Sequence, residues 1–485
     1  MKLGGRLTSP PSFCTPSRQE PTMSVYNRSL ILTLLAGTAF AQIQGAHAQE
    51  SAPDVGALLQ RLEQLEQRVQ SLETENKDLK EQAEFTTERL ENTENLAGKS
   101  VQFNLGPVFS DPLGNFTFKT RGVLEVENSV YSERAGGYDY NNGFGLRRAR
   151  FGFEGTFYRD FGYRLETEFS GNQVNLYDAY ITYTGVKPFT FTVGQHKAFF
   201  SLDQMTSLSA LIFQERAMFT NAFGGGAAGR RIGVSASYAK GEWTAAVGFF
   251  GENEGIARSN ASPDEGYGVH SRVTWEPIND AGRLVHLGAS GFWRTNQRVG
   301  DTPNSFRISD RPNSRVDGGN IIDSGTVTGV EDVYYWGAEA AGIYGPLLIQ
   351  GEYGKLYLNR TGVLPAIDYN GYYVFGAWTI TGESPSYRNG VLDRIRPTRN
   401  FDIRDGGLGA LQLGFRYDRL NASEAPGARA GNKAETFDTA LNWWLNPNMR
   451  IAFNWVRFDG VNTPLDPVGT KTAGDSYTTR FHLDW

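Results

Sequence analysis

The sequence predicts an all-β protein: a sixteen-stranded antiparallel transmembrane β-barrel with an N-terminal α-helical coiled coil. Three observations carry this. Aromatic residues make up 13% of the 485, glycine accounts for 57 and cysteine for one. From about Phe116 apolar residues recur with period two against a densely charged opposite face. The connections between these stretches alternate between short and long.

Composition also excludes several classes. No run approaches the ~20 apolar residues of a membrane-spanning helix, apart from one short N-terminal stretch. One Cys excludes a disulfide scaffold or a cysteine-rich metal site. The five His lack HExxH or similar spacing, which argues against a catalytic zinc site.

Residues 1–22 are polar and rich in Pro and Ser, and Met23 is the better start. Arg28, the apolar run Leu30 to Phe40 and Ala46-His47-Ala48 then form a basic region, an apolar core and a small-x-small cleavage site. Residues 1–48 therefore read as a secretory signal peptide cut after Ala48. Cleavage removes Cys14, four of the 47 basic residues and one of the 53 acidic ones, leaving 43 and 52, a formal −9. A chain without free thiols suits an oxidising compartment.

Residues 49–98 read as a coiled coil. Val55, Leu58, Leu62, Leu65, Val69, Leu72, Asn76, Leu79, Ala83, Thr86 and Leu90 alternate in steps of three and four, a heptad seam. Arg61, Arg68 and Glu75 are each followed five residues later by a charge of opposite sign, at Glu66, Glu73 and Lys80. A parallel homo-oligomer needs that pairing between neighbouring helices, and Asn76 in the seam fixes register. The seam weakens after Leu79 and does not decide between dimer and trimer.

Residues 99–485 read as the barrel. In 146–157 Phe151, Phe153 and Phe157 share one face, and Arg148, Arg150, Glu154 and Thr156 the other. Tyr163, Leu165 and Phe169 stand against Arg164, Glu166 and Glu168. Ile232, Val234 and Tyr238 stand against Arg231, Ser235 and Ser237, and Leu411, Leu413, Phe415 and Tyr417 against Gln412, Arg416 and Asp418. In the last ten residues Tyr477, Phe481, Leu483 and Trp485 oppose Arg480, His482 and Asp484. Such a face is too charged for a merely soluble exterior. Trp243, Trp275, Trp443 and Trp485 end apolar faces, as interfacial girdles do. In lipid, backbone groups must pair internally, so the sheet must close.

Strands are predicted near 116–130, 144–157, 161–170, 175–184, 189–197, 230–239, 242–250, 267–276, 283–294, 333–343, 346–357, 372–380, 408–419, 434–444, 448–458 and 476–485. Tight turns fall on the periplasmic side, and the long loops 198–229, 251–266, 295–332 and 459–475 outside. Segment 381–407 breaks the rule, being long on the short-turn side. Loop 198–229 carries Phe199, Phe200, Leu208, Leu211, Ile212 and Phe213 and ends in Gly224-Gly225-Gly226. That much apolar surface should not stay exposed. Folded against the inner wall it narrows the lumen and brings Glu215 and Arg216 to the narrowing.

Residues 101–485 hold 30 Arg, seven Lys and 40 acids, so placement decides selectivity. Arg148, Arg150, Arg164, Arg231, Arg272, Arg416 and Arg480 all sit on polar faces. A guanidinium fork matches phosphate or carboxylate oxygens, and a ladder of them biases a pore towards anions. The competing reading pairs them with Glu154, Glu166, Glu168 and Asp178 in a non-selective pore.

The segments FGLRRARFGFEGTFYRDFGYRLETEFSG (144–171), YDAYITYTGVKPFTFTVGQHKAFFSLDQMTS (177–207), GRRIGVSAS (229–237) and LNWWLNPNMRI (441–451) resemble the phosphate-selective porin O and P family of outer-membrane proteins. The resemblance implies a sixteen-stranded trimeric porin with arginines lining the lumen, inward-folded segments and a trimeric periplasmic coil. One such segment enters from the periplasmic side, which accounts for 381–407 with Arg388, Arg394, Arg396, Arg399 and Arg404. Arg147 and Arg148 match paired arginines on the second strand, Asp178 the carboxylate of the central site, and Ser207 a serine there. Gln204 stands where the family has its constriction lysine, and Leu208 replaces a second serine. Lys197 completes the candidate pore set.

The expected function is passive diffusion of small, mainly anionic solutes such as phosphate. Two alternatives stand beside it: a general non-selective porin, or a structural tether whose coil spans from the outer membrane to the cell wall. The expected partners are small anions, outer-membrane lipid and two further copies of the chain, with no nucleic acid, cofactor or metal. Glu154, Asp178 and His270 could be read as acid/base groups, but no nucleophile-base motif accompanies them, so no catalysis is expected.

Overall fold

The structure is a computed structural model and describes residues 55–103, 105–255 and 264–485. The expected signal peptide and its cleavage site lie outside these residues.

Helix α1 spans Val55–Ser100, somewhat beyond the weakening of the heptad pattern. Its seam residues Leu62, Leu65, Val69, Leu72 and Leu79 are 51–59% exposed. Nothing on the helix itself can cover them. Thr74, Thr86 and Thr87 return their hydroxyls to carbonyls one turn back.

The barrel has sixteen strands: β1 Thr117–Ala135, β2 Gly143–Phe157, β3 Phe161–Glu168, β4 Asn175–Tyr183, β5 Phe189–Lys197, β6 Arg230–Lys240, β7 Trp243–Phe250 and β8 Tyr267–Asp280 form the first half. β9 Arg283–Thr295, β10 Val330–Tyr344, β11 Leu347–Arg360, β12 Ile367–Thr379, β13 Ala410–Ala422, β14 Asn432–Asn446, β15 Met449–Val461 and β16 Lys471–Asp484 form the second. Each pairs antiparallel with the next, and β16 returns to β1 from Asp484↔Val123 to Ala473↔Ala135. All sixteen were legible in the sequence. Two begin about five residues earlier than the alternation suggested: Ile367–Gly371 pairs with β11, and Lys471–Asp475 with β15.

At the closure seam Gly122 and Trp485 exchange both backbone hydrogen bonds, at 3.2 and 3.1 Å. The Trp485 indole occupies the place a Cβ on Gly122 would take. Outside, Trp243 stacks on Trp275 (5.7 Å) and Phe401 meets Trp443 edge-on (5.0 Å). These rings stand at the short-turn end, where a girdle belongs.

The rule of apolar side out, polar side in fails on β9–β12. Phe292, Val333, Tyr335, Leu356, Leu358, Ile367, Tyr369, Tyr373 and Phe375 point inward and are buried. The physical reason is loop 198–229, which folds into the lumen as expected, with short helices α2 Leu202–Met205 and α3 Met218–Phe223. Phe200 meets Tyr335 (4.8 Å), Phe213 meets Phe375 (5.5 Å) and Phe219 stacks on Tyr373 (5.9 Å). Burying each such ring contributes about 1.5–3 kcal/mol.

A loop inside a barrel must also satisfy its backbone. Arg450 donates to Leu211 O, Arg480 to Gln214 O, Arg416 to Glu215 O (3.0 Å) and Asn442 to Ile212 O (2.8 Å). Gln214 answers by donating to Ala452 O and Thr478 O, both at 3.0 Å. Glu215 joins Arg147 in a bidentate pair (2.8 and 2.9 Å) and also Arg480 (2.7 Å) and Arg315 (3.3 Å).

Two further segments enter. Loop 296–329, expected outside, crosses to the opposite wall. There Asn313 donates to Asp418, Thr436 and Asp438, and Ser314 bonds Tyr131 and Ser129. Asp317 anchors its outer end, accepting from Asn141, Gly319 and Tyr138. Burial pushes that carboxyl up, but these donors outweigh it and hold it below the ordinary carboxylate range. Its contribution is present at neutral pH and is lost as pH falls through that lowered value. From the short-turn side, 386–393 forms a small hairpin whose Leu392 lines one small cavity with Leu211, Ile212 and Phe213 of the first loop. Asp484 ties the two, accepting from Ser209 (2.6 Å) and from Arg394 (2.8 Å). Arg388, Arg396, Arg399 and Arg404 remain exposed.

Two outcomes are expected. Gly122→Ala should destabilise the barrel by about 1–3 kcal/mol through overpacking, read as loss of the folded band on heating in detergent, and Trp485→Ala should relieve it. Glu215→Gln leaves several arginines uncompensated and should cost about 3–5 kcal/mol, with increased open-channel noise in single-channel recordings. A quiet, wild-type trace would refute the anchoring role.

Candidate functional site

The wall of β1–β6 is lined differently from the wall behind the loop. Arg121 reaches Glu154 (3.1 Å) and Glu166 (3.4 Å). Arg164 reaches Glu154 (2.5 Å) and Asp178 (3.8 Å), and Arg230 takes Asp178 at 2.5 Å. Arg150 takes Glu168 (2.7 Å) and approaches Glu166 (3.7 Å). The result is a chain of alternating charge. The Arg121, Arg147, Glu154 and Arg164 side chains keep 24–28% exposure, while Arg150, Glu166 and Asp178 are buried.

Two β-bulges make it. Glu125 pairs with Arg148 and Val126 with Leu146, so Arg147 is the extra residue. Without the bulge Arg147 would face outward; with it, Arg147 and Arg148 both serve the lumen, Arg148 on Glu125 and Arg147 on Glu215. Glu166 pairs with Asp178 and Thr167 with Leu176, which leaves Tyr177 extra in the same way. The Tyr177 ring then lies between Arg150 and Arg230, whose guanidinium carbons are 3.5 and 3.4 Å from its centroid.

The remaining predicted residues fall as follows. Lys197 donates to the carbonyls of Gln204 (2.7 Å), Met205 and Thr206 (3.3 Å each), so its charge holds the end of α2. Gln204 is half-buried and Ser207 exposed. Arg216 is buried, donating to Thr206 O (2.8 Å) near Asp203. Arg231 lies off the strip, on Glu252 and Gly226 O. Its neighbour Arg230 takes the place on the strip that alternation gave to Arg231.

Sequence reasoning missed Arg121, Arg230 and Tyr177, as well as the inner anchors Glu125, Glu127, Arg315 and Asp484. A signal existed for the bulges. In Leu146-Arg147-Arg148 and Leu176-Tyr177-Asp178, adjacent polar residues interrupt strict alternation.

Chemically the strip offers guanidinium forks partly turned over to carboxylates. The residues considered for acid/base work are spoken for: Glu154 and Asp178 are held by arginines, and His270 is buried between Phe250 (5.4 Å) and Phe292 (4.7 Å). Among the described residues no group of His, Cys, Asp and Glu could hold a metal ion.

The family model described as phosphate-selective porin O and P matches residues 118–485. A protein of Caulobacter vibrioides without an assigned activity is 35% identical over 356 residues, 71% of this chain and 69% of its own. Porin O of Pseudomonas aeruginosa is 26% identical over 411 residues, 75% of this chain and 87% of its own. Among solved structures, the anion-selective porin from Comamonas acidovorans aligns with a TM-score of 0.49 and 12% identity, covering 76% of this chain and all of that one. OmpT of Vibrio cholerae gives 0.49 and 13%, covering 76% and 98%. The closed sixteen-stranded barrel and the family match together place the chain in the phosphate-selective porin O and P family, as an outer-membrane porin and not an enzyme.

Proposed function

We propose that the chain forms a homotrimeric diffusion porin with a weak preference for small anions, phosphate among its solutes but not tightly held. The observation that carries this is the charge balance of the strip. Lys119, Arg121, Arg150, Arg164 and Arg230 stand there against Glu154, Glu166, Glu168 and Asp178, a small cationic excess. A ladder so neutralised biases a pore without binding its solute tightly. Gln204 brings no charge to the position where the family resemblance puts a lysine, and Lys197 is engaged by carbonyls.

The exposed heptad seam of α1 supports an oligomer, which the family resemblance makes a trimer, and a periplasmic place for the helix follows from the signal peptide reading. It also favours a second reading, a tether to the cell wall, since 46 residues of helix reach about 69 Å.

The reversal potential in a potassium chloride gradient tests the first reading. A modest chloride-side potential is expected, and a potential at zero or on the potassium side overturns it. Gln204→Lys should raise anion preference and tighten phosphate block by about tenfold, roughly 1.4 kcal/mol. Deleting residues 49–98 should weaken the trimer on unheated gels while leaving single-channel conductance intact. If conductance is negligible from the start, and deletion instead releases the outer membrane from the wall, the tether reading wins.

A further inference from the structure

We infer that Tyr177 is a positioning residue of the conduction path: it holds Arg150 and Arg230 apart as two guanidinium planes that hand an oxyanion from one to the other. The inference rests on the anion-pore reading above and names the part of the wall that performs it.

The geometry is specific. Both guanidinium carbons lie within van der Waals contact of the ring centroid, at 3.5 and 3.4 Å. Two groups cannot share one face at that distance, so they take opposite faces, about 7 Å apart. Like charges that close repel. The electron-rich faces of the ring offset that, and they leave the in-plane N–H edges of each guanidinium to other acceptors. One edge of each is already used, Arg150 Nε on Glu168 (2.7 Å), and Arg230 Nε and Nη2 on Asp178 (2.5 and 3.3 Å). Among the described residues no acceptor lies within hydrogen-bond distance of either Arg150 Nη or of Arg230 Nη1. The Arg150 and Arg230 side chains keep 7% and 16% exposure, and these are the donors left for an oxyanion that reaches them.

The bulge makes the arrangement possible, because only an extra residue lets Tyr177 turn to the lumen beside Asp178. A non-aromatic side chain there removes the spacer. Arg150 is then free to close on Glu166, now 3.7 Å away, while Arg230 keeps its fork on Asp178 and loses only the ring that separates it from Arg150.

The test compares Tyr177→Phe and Tyr177→Leu with the wild type in planar bilayers. Phenylalanine keeps the ring and should leave the chloride-to-potassium permeability ratio unchanged. Leucine should lower it by about twofold or more and weaken phosphate block in step. A barrel that migrates as folded on unheated gels qualifies each variant. If leucine fails that check, phenylglyoxal labelling of the wild type and the phenylalanine variant decides. Labelling of Arg150 and Arg230 at equal rates in the two proteins supports the sandwich, and failure of either arginine to label opposes it. A leucine variant with the wild-type ratio overturns the inference. A wild type without anion preference defeats the anion-pore reading instead, while a shift between wild type and leucine still supports the spacer.

Discussion

A segment of chain inside a closed barrel has no sheet edge to pair with, and each unpaired buried carbonyl or N–H costs free energy comparable to a lost hydrogen bond. Loop 198–229 meets that constraint with side chains of the wall. Arginines on β13, β15 and β16 each give a donor to a carbonyl of 211–215, and Glu215 gathers the spare charge of four arginines within 4 Å. The remainder of the lumen depends on this. Once the loop is pinned to one side, its apolar residues need an apolar wall, which β9–β12 supply. The segments from either mouth, 296–329 and 386–393, find a fixed surface to meet. Solutes are left with the wall of β1–β6.

The same interaction changes what the arginine content means. The 30 arginines of residues 101–485 invite an electropositive reading, but many serve as backbone caps and counter-ions. Arg450 has no carboxylate within salt-bridge distance among the described residues and is still not an anion site, because it is spent on Leu211 O and stacked on Trp444 (4.6 Å). Arg416 and Arg480 divide their donors between loop carbonyls and acids, Asp438 for one and Glu125 with Glu127 for the other. Any selectivity must then come from the few charges not so engaged, and their near balance is what the proposed weak anion bias rests on.

The barrel was readable because period two is enforced at every lipid-facing position. Phe151 and Phe481 have no other way to be covered, so the strands declare themselves. Inside, the alternation carries less information. Tyr335 and Phe375 look lipid-facing by residue type yet point inward, because what they pack against is a loop more than a hundred residues away in sequence. Arg230 and Arg231 are equally polar, and only the register of β5–β6 decides which meets Asp178. The inward course of 198–229 was legible from its apolar content. That of 296–329 was not: its anchors are Asn313, Ser314 and Asp317, residue types that an exposed loop carries equally well.

The two bulges show how a strictly alternating scaffold builds an uneven lining. Alternation gives each strand one lumen residue in two, which spaces like groups regularly and cannot set two side by side. An inserted residue breaks that limit at one point only, because pairing resumes on either side: Val126↔Leu146 beyond one bulge, Thr167↔Leu176 beyond the other. At Arg147 the gain is a second arginine for Glu215, which helps hold the loop. At Tyr177 it is an aromatic ring for two arginines, one on each face, beside the carboxylate that orients one of them. Both lie within β2–β4, on the wall the loop leaves open. The lipid-facing exterior is undisturbed, since Leu146 and Phe151 on either side of the first bulge still face outward. A barrel can thus alter the local density of charge in its lumen without altering the surface that keeps it in the membrane.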